Sequence, residues 1–87
     1  MIEVPGYTIK SEISAGANAS VLLAVQTSLD REVALKVVAR ELVNDKAYAE
    51  RFLQVARSLA SFSHPNIVAV YDVGLTPEQA PYFSMQY

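Results

Sequence analysis

The 87 residues predict an α+β lobe, a five-stranded antiparallel sheet with one main helix packed on it. Three observations carry that expectation. The apolar pattern is strand-like up to Val38, takes a helical repeat between Tyr48 and Phe62, and returns to short apolar runs after Pro65. The connections within the first part are short, which favours antiparallel neighbours over crossovers. Finally, a chain of this length holds at most one small domain.

Tyr7, Ile9 and Ile13 mark the first strand, with polar residues between the first two. A turn of small residues, Ser14 to Ala19, leads into a second strand, Val21-Leu22-Leu23-Ala24-Val25. Thr27 to Asp30 reads as a hairpin turn, and Val33 to Val38 as a largely buried third strand. Tyr48, Phe52, Val55, Ala56, Leu59 and Phe62 then form one apolar stripe at helical spacing. Asn44 or Asp45 is the expected N-cap, Glu50 sits early in the helix, and Pro65 should end it near Ser63-His64. Two strands follow, Ile67 to Val73 and Tyr82 to Tyr87, joined by a loop around Gly74 to Pro81. There is no internal repeat, low-complexity tract or linker.

Composition narrows the function classes. With 52% hydrophobic and 18% charged residues, there is enough apolar surface to offset chain entropy, so disorder is not expected. A net charge of −2 and an isoelectric point near 5.2 give no electrostatic drive toward nucleic acid or anionic membrane. The absence of cysteine excludes a disulfide framework and a thiolate metal site, and no other metal-ligand cluster stands out. Met1 to Tyr7 lacks the basic segment and long apolar run of a signal peptide, and no stretch is apolar enough to span a bilayer. A cytoplasmic, soluble chain is the expectation.

The segment Ile13-Ser14-Ala15-Gly16-Ala17-Asn18-Ala19-Ser20-Val21 lies between two strands and is made almost wholly of small residues. Small side chains let backbone N–H groups approach phosphate oxygens. Turn chemistry alone produces such hairpins as well. Order adds what the segment lacks: Val33-Ala34-Leu35-Lys36 follows, then an amphipathic helix, then His64-Pro65-Asn66-Ile67-Val68, and last Pro81-Tyr82-Phe83-Ser84-Met85-Gln86-Tyr87. In this order and over the whole chain the sequence resembles the small, ATP-clasping lobe of protein kinases, specifically bacterial serine/threonine kinases of eukaryotic type.

The resemblance implies roles. The Ser14 to Val21 loop would cover the ATP phosphates, and Lys36 would contact the α- and β-phosphates. Ile13, Val21 and Ala34 would lie against the adenosine, Met85 would bound the back of the adenine pocket, and Gln86 would offer its backbone carbonyl at the hinge. His64, the only histidine, takes a structural place in the helix-to-strand turn. The implied partners are ATP and a protein substrate, with magnesium held only by residues of the larger lobe. The catalytic aspartate and the magnesium ligands of the family fall beyond the hinge, so these 87 residues should not phosphorylate anything alone. Without the larger lobe, Tyr82, Phe83, Met85 and Tyr87 are expected to form an apolar edge, making the lobe marginally stable or self-associating.

Departures from the pattern matter too. The family places a glutamate on the helix to pair with the strand lysine; Val55 stands there. Glu50, five residues earlier, points about 140° away around the helix. Ser14 and Ala19 replace the first and third glycines of the loop, and Gly16 keeps the second. The alternative expectation is therefore a pseudokinase or protein-interaction module with weak or no nucleotide binding.

Overall fold

The computed structural model of the chain describes residues 3–61 and 69–87. Expectations for Phe62, the helix end at Ser63-His64, the His64 turn and a strand start at Ile67 lie outside the described residues. Strands β1 (Tyr7–Ala15), β2 (Ala19–Gln26), β3 (Arg31–Val38), β4 (Val70–Leu75) and β5 (Pro81–Gln86) pair antiparallel throughout, in the order β1-β2-β3-β5-β4. One helix, α1 (Lys46–Ser61), follows a short 3-10 turn at Arg40–Leu42 and packs on β4 and β5.

The hairpins follow from their residues. Thr27 to Asp30 closes β2 onto β3, with Asp30 at φ 50°, a left-handed position that a short polar side chain tolerates. The β1–β2 turn is tighter than the sequence implied, because the ladder continues to Ala15 opposite Ser20 and Gly16 N–H donates to the Ala19 carbonyl at 2.9 Å. At the other end, β4 runs on through Gly74 rather than stopping at Val73. A Cβ on Gly74 would come within 2.9 Å of the Tyr82 hydroxyl, so only glycine lets that ring lie across the strand.

Of the two candidate caps, Asp45 starts α1: Tyr48 N–H donates to Asp45 Oδ1 at 3.0 Å, and Ala49 N–H donates to its backbone carbonyl. Asp45→Ala should cost about 1 kcal/mol in denaturant unfolding, while Asn44→Ala leaves stability unchanged. Equal losses from both variants would move the cap.

Strand alternation splits the sheet into two packed faces. Leu22, Ala24, Val33, Leu35, Val37 and Tyr82 bury one face together with Val4 and Ala80. Tyr7 closes this layer from β1: its hydroxyl donates to Ser84 Oγ on β5 at 3.0 Å, and its ring meets Tyr82 edge-on at 6.0 Å. A contact that skips the two intervening strands requires a strongly curled sheet. On the other face Val38, Phe83, Phe52 and Ala56 form a second core between sheet and helix, with the Phe52 and Phe83 rings 5.1 Å apart.

One expectation is corrected by this packing. Tyr82 and Phe83 are 7% and 4% exposed, one in each core, so they form no apolar edge; of the four residues, only Tyr87 is largely open. Val55, a member of the apolar stripe, is 51% exposed. Helical spacing put it on the correct side of α1, but there the helix overhangs an open cavity instead of the sheet.

Candidate functional site

Register and alternation bring Val21, Ala34, Lys36 and Met85 onto the face that carries the helix. Val21 lies opposite Lys36, and Lys36 opposite Phe83. One rung along, Leu23 lies opposite Ala34, and Ala34 opposite Met85. These two rows make a patch with the Lys36 side chain at its helix end. Ala34 is the one residue in its row without bulk, leaving a shallow floor between Leu23 and Met85. Gln86 lies opposite Val33 and so takes the other face; it is exposed, and its N–H donates to the Ala69 carbonyl at 2.8 Å.

The β1–β2 turn lies at the end of the sheet where β2 begins and β3 ends. Ser14, Ala15, Gly16, Ala17 and Asn18 are all exposed. The N–H of Gly16 is spent inside the turn, and the Asn18 carbonyl accepts from Ala39 N–H at 2.7 Å, which ties the turn to the end of β3. Among the described residues, Ala17 and Asn18 donate no N–H to a backbone carbonyl in this turn, so they are its available donors. Ile13 occupies a break in the β1–β2 register between Glu12 and Ser14 and is 48% exposed.

Lys36 is half-buried and enters a cavity of about 210 Å³ lined by Tyr48, Arg51, Phe52, Val55, Leu59 and Phe83. Val55, which stands where the kinase pattern has a glutamate, lines the same cavity as Lys36. All nine acidic residues are among the described ones, and none pairs with Lys36; the ion pair found there is Lys10 to Glu32 at 3.0 Å. Tyr48, Arg51 and Phe83 were not singled out as site residues. Arg51 was findable, since it sits one turn before Val55 and so shares its side of α1.

Not every expected residue converges. Gly16 and Ser20 line a different cavity, about 330 Å³, with Val37, Thr76 and Arg40 on the opposite side of the sheet from Lys36. Strand alternation explains Ser20: its neighbour Val21 takes the lysine's face, so Ser20 takes the other. Burial, followed by the nearby Tyr7 and Asp72, raises the Tyr82 phenol above its ordinary range, but that group belongs to the core away from the lysine. Among the described residues, no three histidine, cysteine, aspartate or glutamate side chains converge as a metal site, and no helix is long and apolar enough to cross a membrane.

The chain is similar to known proteins. The chain is 41% identical over 81 residues to the serine/threonine-protein kinase PrkC of Bacillus subtilis, covering 93% of this chain and 12% of PrkC. It is 39% identical over 84 residues to PksC of Streptomyces coelicolor, again covering 93% of this chain and 15% of that protein. The chain therefore spans a small part of these relatives. Among solved structures, the PknI kinase domain of Mycobacterium tuberculosis superposes with a TM-score of 0.78 at 26% identity, covering 99% of this chain and 34% of the PknI chain. The fold is that of a kinase small lobe. Residues 7–87 match the family described as protein tyrosine and serine/threonine kinase, and the chain belongs to that family.

Proposed function

We propose that this chain is the ATP-binding lobe of a serine/threonine protein kinase, which in its whole form transfers the γ-phosphoryl group of ATP to protein hydroxyls. The observation that supports the reading is the shared face: Lys36 lies in one patch with Val21, Ala34 and Met85. Adenine would lie on Val21, Ala34 and Met85, with Ile13 at its edge and the Gln86 carbonyl as acceptor. The Lys36 ammonium would meet the α- and β-phosphates, and the N–H groups of Ala17 and Asn18 would cover them.

Magnesium, which the family typically uses with ATP, does not fit the donor set of this chain, because its carboxylates do not converge among the described residues. The work left to these 87 residues is positioning: an apolar bed for the base, a cation for the phosphates and a cover against water. Since ATP is the phosphoryl donor, we place this lobe in the cytoplasm.

Binding of a non-hydrolysable ATP analogue, measured by calorimetry, tests the reading. A hydrogen bond to a charged group is worth about 1.5–3 kcal/mol, so Lys36→Met should weaken binding roughly ten- to a hundredfold. Unchanged affinity in a folded variant defeats the assignment of Lys36.

One observation favours a second reading, a pseudokinase or interaction module. Val55 leaves Lys36 without the carboxylate that would fix it. On that reading nucleotide binds weakly or not at all, and phosphoryl transfer is negligible in the whole protein.

A further inference from the structure

Arg31 opens β3 and Tyr71 lies on β4, with β5 running between those two strands. Their side chains meet all the same: the Arg31 guanidinium carbon stands 3.7 Å from the centroid of the Tyr71 ring. From the other side, Arg31 Nε donates to Gln26 Oε1 at 2.7 Å, and Gln26 is its partner in the β2–β3 ladder. A guanidinium serves both contacts at once, because its face stacks on a ring while its edge donates. Two features of the chain prepare the contact. Arg31 alternates with Val33 and Leu35, so it takes the face opposite Lys36. The β4–β5 ladder skips between Val70 and Asp72, which leaves Tyr71 as an extra residue, and a bulge of this kind re-aims the side chain it frees.

The contact spans the strand that carries Gln86. Gln86 lies opposite Val33 on one side and donates its N–H to the Ala69 carbonyl on the other. Backbone pairs near a strand end open more readily than those in the middle of a sheet. Here β3 and β4 cannot draw apart around Gln86 without parting Arg31 from Tyr71.

We infer that Arg31 and Tyr71 are positioning residues for the base of the nucleotide. They brace the end of β5 and so hold the Gln86 carbonyl where it accepts from the 6-amino group of adenine. The inference rests on the reading of this lobe as an ATP site. Arg31 lies on the face opposite the patch of Val21, Ala34, Lys36 and Met85, so its effect passes through the β5 backbone and falls on the base rather than on the phosphates. A hydrogen bond weakens steeply as its angle closes, so a small displacement of Gln86 is enough.

Two nucleotides test this by calorimetry in the protein that carries this chain: a non-hydrolysable ATP analogue, and the same compound with hydrogen in place of the 6-amino group. Wild type should bind the amino compound more tightly. Tyr71→Leu and Arg31→Met should each lower its affinity about three- to fivefold, as loss of an exposed cation–ring contact would, and leave the compound without the amino group within about twofold. The double variant should lose no more than either single one, because both break the same contact. Tyr71→Phe keeps the ring face and should restore the preference for the amino compound. Tyr71 is 37% exposed and Arg31 half-buried, so the variants are expected to fold, and their unfolding curves check this. Equal binding of the two nucleotides by wild type, equal losses for both in the variants, no loss for either, additive losses in the double variant, or a loss in Tyr71→Phe as large as in Tyr71→Leu each overturns the bracing role and leaves the ATP reading standing. Absence of any binding of the ATP analogue to wild type overturns both.

Discussion

Replacing Val55 with glutamate is expected to raise phosphoryl transfer by the whole protein about a hundredfold, measured as kcat with ATP and a protein substrate. The side chain at this position lines the same cavity as Lys36 and is 51% exposed, so a carboxylate there stays partly solvated and carries little desolvation cost. Its gain is positional. An exposed ion pair contributes only about 0–1 kcal/mol to stability, so the unfolding curve should barely move while kcat rises. The Lys36→Met background supplies the control, because the added glutamate then has no ammonium to hold and the gain should vanish. High wild-type activity with no gain from glutamate would show that Lys36 is already held by another route, and would remove the pseudokinase reading with it.

Phe83→Ala is expected to lower stability by about 3–5 kcal/mol in denaturant unfolding. Phe83 is 4% exposed, its ring meets Phe52 at 5.1 Å, and it lies opposite Lys36 on β3. It therefore does two things: it seals the seam between sheet and helix, and it floors the lysine cavity. Small domains hold only about 5–15 kcal/mol in total, so the loss is a large fraction of what keeps α1 docked. A loss under about 1 kcal/mol would mean that Phe52 and Ala56 hold the seam without it.

The order of elements was legible because the apolar period changes type only twice, from two residues to three or four and back. Thr27 to Asp30 was readable as a hairpin turn from its polar residues between two apolar runs, and Asp45 as one of two possible caps. What stayed hidden is curvature. Periodicity along β5 gives Tyr82 and Phe83 opposite faces, and a sheet covered on one face by a helix would leave one of them open. The curl that brings Tyr7 onto Ser84 and Tyr82 closes the second face, and nothing in a one-dimensional pattern specifies it. Val55 was legible as a departure from the kinase pattern, but its exposure was not. An apolar residue at the right spacing looks the same whether it meets a strand or overhangs a hollow. Arg51 was passed over for the complementary reason: a charged residue within an amphipathic helix ordinarily faces solvent.

The interruptions in β1 reach beyond the site. Pairing with β2 skips once between Ile9 and Ser11 and again between Glu12 and Ser14, leaving Lys10 and Ile13 as extra residues on the outermost strand. The opposite rim, β4, skips between Val70 and Asp72. A strand from another molecule seeking to extend the sheet needs a regular run of unpaired N–H and carbonyl groups, and neither rim presents a long one. The lobe is thereby guarded against fibrous growth at both margins, one of them the same strand whose second skip leaves Ile13 exposed.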